Sequence, residues 1–284
     1  MSTIPSITLN NGLAMPQLGF GVWQVADDEA ATAVRTAIES GYRSIDTAAV
    51  YENEVGTGRG IREAGVPREE LFLTTKLWNS GTKDWSGTSG RDAVLREFDA
   101  SLERLGTDYV DLYLIHWPRP MHGSYGNIWQ AFEELAADGR AKAVGVSNFG
   151  PAELGHLLGA GSLVPAVNQV ELHPYFPQQE LRAFHAEHGV ATEAWSPLGQ
   201  GKELLGEPAL AKVAAKHGRT PAQVVLRWHL QSGVIAIPKS VTPSRIRENF
   251  EVTGFELDAE DMAAVASVAT GRRIGPDPTG FDWN

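Results

Sequence analysis

Eight short apolar runs recur along the chain, and the segments between them carry a helical pattern. Most runs are rich in Val, Ile and Leu without strict polar alternation, which is typical of parallel strands covered on both faces. The runs span 18–23, 42–48, 71–77, 110–117, 143–148, 166–172, 190–196 and 234–240. Eight strands alternating with helices predict an α/β fold, a (β/α)₈ TIM barrel covering residues 1–284 as one domain. The alternative is an open doubly wound sheet, although no dinucleotide-binding turn is evident.

Helix start and stop signals separate these runs. Acidic residues or a proline open several segments, and a glycine follows the end of most of them. The predicted helices span 27–40, 91–105, 177–188, 221–232, 243–250 and 258–269. Ahead of the first run, residues 7–18 alternate around Asn10-Asn11-Gly12, which predicts an N-terminal β-hairpin with a tight turn. The tail, 271–284, predicts an irregular arm or lid.

The charge balance limits the partners of a chain like this. Its 284 residues include 24 Lys and Arg against 35 Asp and Glu, a net charge of −11. Such a surface repels phosphate backbones and anionic lipid, so neither nucleic acid nor membrane is an expected partner. The chain has no cysteine, which excludes disulfides and thiolate metal sites. Residues 1–5 lack the pattern of a signal peptide and no apolar run could span a bilayer, so we expect a cytoplasmic protein.

Polar residues stand at the ends of nearly all the predicted strands. A barrel places its chemistry at the carboxyl ends of its strands, and unpaired polar groups are costly inside a strand. The residues at these ends are Asp46, Lys76, His116, Asn148, Gln169, Ser196 and Lys239. Each could be a surface residue where a strand stops, but seven at equivalent positions predict one shared site.

The first group of these residues suits proton donation to a carbonyl oxygen. Asp46 and Lys76 end neighbouring strands, and Tyr51 follows Asp46 by a short loop. We expect the Lys76 ammonium to lower the pKa of the Tyr51 phenol, Asp46 to hold Lys76 charged, and His116 to hydrogen-bond a substrate oxygen. A buried structural ion pair beside a tyrosine is the alternative, and would be preferred for an isolated Asp–Lys pair.

The second group predicts an anion site after the last strand. Lys239 leaves that strand, and Arg245 and Asn249 lie four residues apart on one face of the next helix. Two cations, the hydroxyls of Ser240 and Thr242 and a helix N-terminus suit a phosphate. An ordinary solvated helix face is the alternative.

Two other patterns are interpreted as structural. Gly56-Thr57-Gly58-Arg59-Gly60 is similar to a dinucleotide turn but follows a helix-prone stretch, so we interpret it as helix packing. His185 and His188 lie three residues apart on a predicted helix without an obvious third ligand. We expect both to be surface histidines, and no metal site.

Several ordered motifs resemble the aldo-keto reductases, from the hairpin to about Asn249. They are GYRSIDTA at 41–48, TTKLW at 74–78, LYLIHWP at 112–118, GVSNF at 145–149, NQVELHP at 168–174 and the segment 239–249. WSPLGQGK at 195–202 is similar to the prokaryotic branch that contains 2,5-diketo-D-gluconate reductases.

This resemblance implies NADPH-dependent carbonyl reduction, with Tyr51 as the general acid and Asp46, Lys76 and His116 around it. The positions that match the family's cofactor contacts are Ser147, Asn148, Gln169, Trp195, Ser196, Leu198, Gly199, Ile237, Lys239, Ser240, Val241, Thr242, Arg245, Glu248 and Asn249. Trp23, Trp78 and Trp117, with Tyr51, His116 and Trp283, would wall the substrate pocket; core packing is the alternative for Trp23 and Trp283.

The resulting hypothesis is a monomeric NADPH-dependent reductase of aldehydes and small ketones. Candidate substrates are dicarbonyls such as methylglyoxal and keto-sugars such as 2,5-diketo-D-gluconate. One alternative is an NADPH-binding sensor or partner-binding barrel with little turnover, against which the complete proton-donor group argues. A metal-free isomerase or lyase, which would not bind nicotinamide, is the other.

Overall fold

The computed structural model describes residues 4–80, 83–160 and 163–282, so Trp283 lies outside the described residues. An antiparallel hairpin, β1 (Ser6–Thr8) and β2 (Ala14–Pro16), precedes eight parallel strands. These are β3 (Phe20–Gly21), β4 (Ser44–Asp46), β5 (Phe72–Leu77), β6 (Val110–Ile115), β7 (Ala141–Ser147), β8 (Val167–Glu171), β9 (Ala191–Trp195) and β10 (Ile235–Ala236). Each parallel strand pairs with the next along the chain.

The sheet closes on itself between its first and last parallel strands. Leu18 bridges to Ala236 in parallel. The Gly19 amide donates to the Ala236 carbonyl at 2.9 Å, and the Gly21 amide donates to the Pro238 carbonyl at 3.1 Å. Together with the eight strands, this closure confirms the predicted barrel and hairpin, and the open sheet is wrong.

Helices follow most strands and cover the outside of the barrel. They are α1 (Asp27–Ser40), α2 (Glu54–Glu63), α3 (Gly87–Leu105), α4 (Tyr125–Ala137), α5 (Pro151–Ala160), α6 (Gln179–Glu187), α7 (Pro208–His217), α8 (Pro221–Gln231), α9 (Pro243–Phe250) and α10 (Ala259–Ala266). All six predicted helices are present, and α1 and α9 have the predicted bounds. Helix α1 stops where Gly41 adopts φ 115°, a conformation that favours glycine.

The glycine-rich segment of α2 is a packing surface, as predicted. A Cβ on Gly56 would collide with the Asp27 carbonyl oxygen, and one on Gly58 with the Leu105 carbonyl oxygen. Since backbone meets backbone at both contacts, no neighbouring side chain could move aside to admit a larger residue. The glycines therefore fix α2 tightly against its neighbours.

The hairpin plugs the amino end of the barrel. Leu9 and Met15, both buried, pack with residues of five parallel strands or their approaches. That apolar cluster also contains Phe72, Leu112, Leu114, Ala143, Ala166, Val167 and Ile235. The Gln17 side chain, just beyond β2, donates to the carbonyls of Leu230 and Val234 at 2.7 and 3.2 Å. This end of the barrel is thus filled and mainly apolar.

The expectation that His185 lies at the surface is wrong. Its ring is buried, with Nε2 2.9 Å from the Asn168 amide nitrogen and Nδ1 2.9 Å from the Thr192 hydroxyl. Burial lowers the pKa of His185 to about 4, so the imidazole is neutral. It joins α6 to β8 and β9, whereas His188 is half-buried against the Phe184 ring.

Candidate active site

A buried ion pair occupies the carboxyl end of the barrel. The Lys76 ammonium, at the fifth position of β5, donates to Asp46 Oδ1 at 2.6 Å and to the Thr47 carbonyl at 2.9 Å. Lys76 is fully buried and Asp46 nearly so. Burial is the largest single effect and would lower the pKa of Lys76, but Asp46, Tyr51 and Glu193 together outweigh it and the pKa is raised. Lys76 therefore stays charged in a setting where a lone cation would not.

Two side chains absent from the predicted proton-donor group extend this ion pair into a network. The Gln169 amide nitrogen bridges Asp46 Oδ2 and Glu193 Oε2, at 2.8 Å to each. Glu193, in the middle of β9, is fully buried. Burial, and next the charge of Asp46, raise the pKa of Glu193 from 4.5 to about 8. The sequence signal for Glu193 was a carboxylate inside an apolar run, and that signal was missed.

Tyr51 lies above the ion pair on a short turn. A 3₁₀ turn spans Ala49–Tyr51, and the Lys76 ammonium lies 5.1 Å from the centre of the Tyr51 ring. The buried Asn53 side chain fixes this turn by donating to the Val22 and Val25 carbonyls, each at 2.9 Å. The turn is thereby tied to the segment that follows β3, so the position of the phenol is set by the barrel wall.

The expected lowering of the Tyr51 pKa is wrong for this structure. Burial raises the pKa of Tyr51 above 10.0, and Asp46 and Glu193 add to the rise. The charge of Lys76 acts in the predicted direction, but burial of the phenol is the larger effect and outweighs it together with the charges of Asp46 and Glu193. The phenol therefore keeps its proton throughout the neutral range.

His116 faces the same corner as a neutral ring. Burial, followed by the charge of Lys76, lowers the pKa of His116 well below 6.5. Its ring centre lies 5.6 Å from that of Tyr51 and 5.6 Å from that of Trp78. Its Nδ1 has no hydrogen-bond partner among the described residues. A neutral imidazole keeps one N–H and can donate it to an oxygen in this corner. The structure thus brings all four predicted residues together.

Beside this corner, β7 and β9 end in a linked set of polar side chains. The Trp195 indole donates to Asn148 Oδ1 at 2.8 Å, and the Asn148 amide donates to the His116 carbonyl at 3.1 Å. Ser147 donates to the Gln169 carbonyl at 2.8 Å. Asn148 and Ser196 have φ of 66° and 49°, which turns the chain sharply at the barrel mouth. The Trp195 ring is held but remains half-exposed.

The predicted anion site lies farther along the rim, at the start of α9. Lys239 and Arg245 are exposed, and within the described ranges neither forms an ion pair. Thr242, at the N-cap of α9, makes no side-chain capping bond, so backbone N–H groups in the first turn of α9 remain available as donors. Ser240 is buried, and its hydroxyl accepts from the Thr242 amide at 3.1 Å. These donors suit a phosphate dianion.

The remaining predicted cofactor residues flank this stretch. Glu248 is committed to the fold, because its carboxylate accepts from the Thr220 hydroxyl at 2.8 Å. Ile237 and Asn249 are buried, and Val241 is exposed. Leu198 and Gly199 lie at the 3₁₀ turn Gly199–Gly201 that follows β9.

Aromatic residues surround the corner formed by Tyr51, Lys76, Asp46 and His116. Trp78 is half-buried and Trp117 buried, and both contact the Phe281 ring, Trp117 by stacking at 3.8 Å between centres. Phe281 belongs to the irregular tail and was not predicted as a wall. Trp23 is 44% exposed, so core packing is excluded for it.

The tail is anchored at two places across the barrel mouth. The fully buried Glu171 carboxylate accepts from the amides of Ile274 and Gly275. At the other anchor, Asp282 contacts Arg119 and His122. None of these residues was predicted for the site. Among the residues that the structure describes, no group of His, Asp and Glu could hold a metal ion, and no helix is long and apolar enough to cross a membrane.

Comparison with known proteins places the chain among the aldo/keto reductases. Residues 15–270 match the model of the aldo/keto reductase family. An aldo-keto reductase from Mycolicibacterium smegmatis is 54% identical over 279 residues, 98% of each chain. The methylglyoxal reductase DkgA of Escherichia coli is 48% identical over 276 residues, 97% of each chain. A solved structure of a Gox0644 mutant in complex with NADPH is 46% identical with a TM-score of 0.92, and the match covers 99% of this chain and 100% of that one.

Proposed function

Because the chain belongs to the aldo/keto reductase family, we propose that it uses NADPH to reduce aldehydes and small ketones to alcohols. The observation that carries this proposal is the group of half-buried Tyr51 and buried Lys76, Asp46 and His116 at the carboxyl end of the barrel. NADPH, when bound, supplies the hydride that reaches the carbonyl carbon. The chain's own residues then have to bind the carbonyl and protonate its oxygen.

Tyr51 is the proton donor in this proposal. Its raised pKa keeps the phenol protonated at neutral pH, which is the form that an acid needs. As the carbonyl oxygen gains negative charge, the phenol gives up its proton and the Lys76 ammonium stabilises the phenolate that remains. Asp46 holds Lys76 in place and charged through the 2.6 Å bond.

His116 orients the carbonyl. A neutral imidazole can donate a hydrogen bond to the oxygen without competing with Tyr51 as an acid. The Tyr51 and Trp78 rings lie edge-on to the His116 ring, each 5.6 Å away between centres. In this proposal Tyr51 and His116 donate to the same carbonyl oxygen.

The chain's residues fit NADPH at both ends of the proposed cofactor site. Lys239, Arg245 and the uncapped start of α9 supply positive charge and amide donors for a 2′-phosphate, in a chain whose net charge is −11. The Gln169 amide nitrogen is committed to Asp46 and Glu193, which leaves its amide oxygen to accept from a carboxamide group. Asn148 holds the half-exposed Trp195 ring, which offers a face for stacking. This fit favours NADPH over NADH.

Methylglyoxal is the first substrate to test, and keto-sugars such as 2,5-diketo-D-gluconate are the second class. The E. coli relative named a methylglyoxal reductase supports the first choice. Trp78 and Trp117 line one side of the corner, which suits a small carbonyl compound with a planar or apolar face. We also propose that residues 1–284 act as a single-domain monomer in the cytoplasm.

The experiment is NADPH oxidation by the wild type and Tyr51→Phe, followed by absorbance with methylglyoxal. We expect turnover to fall by about 10²–10⁴ while NADPH still quenches tryptophan fluorescence. Tyr109→Phe is the matched control, because Tyr109 packs through its ring against Arg68 and Lys142 at the other end of β6. Negligible turnover by all three proteins, with quenching intact, would instead favour an NADPH-binding protein.

The pH profile of reduction tests the state of Tyr51. Since its pKa lies above 10.0, kcat/KM should show no loss attributable to Tyr51 as pH rises toward that value. A decline centred well below it would contradict the raised pKa of Tyr51 and would mean that the lowering effect of Lys76 on the phenol prevails. The rate of methylglyoxal reduction across neutral and alkaline pH measures this directly.

A further inference from the structure

Arg119 is a buried cation at the rim of the proposed substrate pocket. Its side chain is 1% exposed, and Nη1 donates to the Asn79 carbonyl at 2.8 Å. The residue has φ 43°, so the turn directs this particular side chain inward at some cost in backbone strain. A buried guanidinium is tolerated when an anion accompanies it, and its planar fork matches a carboxylate.

The anion at this position comes from the irregular tail. Asp282 accepts from Arg119 and lies 2.8 Å from His122 Nε2. The Asp282 side chain is 43% exposed, so the cation is built into the fold whereas its partner lies at the surface. Asp277, five residues earlier in the tail, forms its hydrogen bonds within its own turn, to Thr279 and Gly280. Contact with His122 and Arg119 lowers the pKa of Asp282 and keeps it anionic.

This ion pair adjoins the corner where the carbonyl would bind. Phe281, next to Asp282, stacks on Trp117, and Trp78 contacts both Phe281 and His116. Arg119 follows His116 by three residues, so their Cα atoms are at most about 11 Å apart. A molecule with a carboxylate a few carbons from its carbonyl could therefore reach both groups. On the side away from the carbonyl corner, Arg119 and His122 also border a cavity of about 190 Å³, whose lining includes Asn79, Lys83 and Asp84 but not Tyr51, Trp78 or His116.

We propose that Arg119 and His122 form a subsite for the carboxylate of an acidic carbonyl substrate, and that Asp282 occupies this subsite until such a substrate displaces it. The proposal rests on the proposed function, because it places a second substrate group beside the reacting carbonyl. It predicts a preference for aldehydes and ketones that carry a carboxylate over neutral ones of the same length. Asp282 is then an internal competitor that weakens the binding of acids.

The kinetic test compares succinic semialdehyde with butanal, a neutral aldehyde of equal length. In Asp282→Asn the ratio of the KM for the acid to that for butanal should fall about tenfold, because the competing charge is gone. In His122→Ala the ratio should rise, since the acid loses one donor. His122 is exposed, so this variant avoids the folding risk of replacing buried Arg119. Asp277→Asn makes the same chemical change elsewhere on the tail and should leave the ratio unchanged.

A binding test separates this proposal from the proposed function. Glutarate, which has no carbonyl to reduce, is titrated while the fluorescence of the tryptophans is followed. Asp282→Asn should bind glutarate about tenfold more tightly than the wild type, and His122→Ala more weakly. This result would support the subsite even if no aldehyde were reduced. If the KM values for the acid and the neutral aldehyde changed equally, Asp282 would only anchor the tail and the subsite would be overturned. Unchanged glutarate binding in both variants would also overturn it.

Discussion

The two ends of the barrel are filled in opposite ways. At the amino end, Leu9 and Met15 of the hairpin close the interior with apolar side chains. At the carboxyl end, the interior holds Lys76, Asp46 and Glu193, all buried and linked through hydrogen bonds. The first arrangement favours stability through removal of apolar surface from water. The second places charges in a poorly solvated site, where they have chemical use but little net benefit to folding.

Lys76→Met should give the largest effect, because it acts on both activity and stability. Removing the cation leaves Asp46 buried without its partner, which costs about 3–5 kcal/mol, and removes the charge that stabilises the Tyr51 phenolate. We expect at least about a 10²-fold loss of turnover and a large fall in the free energy of unfolding, measured in urea. Adding Asp46→Asn should restore stability but not turnover. Restored turnover would contradict the proposed role of Lys76.

Met15→Ala, at the opposite end, should affect stability alone. Met15 is fully buried in the apolar plug, and truncating a buried Met to Ala costs about 2–5 kcal/mol. With the protein still folded at the assay temperature, kcat and KM for methylglyoxal should match the wild type. A loss of turnover with full folding by circular dichroism would break the separation between the two ends.

Glu193→Gln should change how stability depends on pH. The folded-state pKa of Glu193 is raised from 4.5 to about 8, so its contribution to stability is fully present below 4.5 and is lost as pH rises through 8. The variant cannot ionise and avoids that loss. Its stability relative to the wild type should rise by at least about 1.4 kcal/mol between about pH 5 and pH 9. Melting temperatures at both pH values test this, and parallel curves would contradict it.

Asn10→Ala should have the smallest effect. The Asn10 side chain donates to the Val164 and Pro165 carbonyls at 3.3 and 3.2 Å, near the surface of the amino end. Losing these bonds should cost about 0.5–1.5 kcal/mol, without a change in turnover. Urea denaturation measures the difference. A cost as large as that of Met15→Ala would mean that polar contacts, and not the apolar plug, fasten the hairpin.

Local patterns were enough to predict the barrel and the four residues of its reaction corner. Strand runs and their polar ends repeat with the fold, so Asp46, Lys76 and His116 could be located by position alone. Glu193 carried one signal, a carboxylate inside an apolar run, but whether such a mid-strand side chain faces the interior depends on strand register, which the sequence does not give. The pairing of Arg119 with Asp282 joins residues 163 positions apart, and no local pattern encodes such a contact. The direction of the Tyr51 pKa shift depended on a balance of burial and three charges that only coordinates supply.

Closure of the barrel between Leu18 and Ala236 also orders events during synthesis. The β3–β4 edge is available early, but the other side of β3 has no partner until about two hundred residues later. Until then the nascent chain carries an open strand edge, which favours pairing with other chains and engagement by chaperones. Lys239 and Arg245 emerge only after that partner strand. The proposed cofactor phosphate site is therefore completed at nearly the same stage of synthesis as the closed barrel.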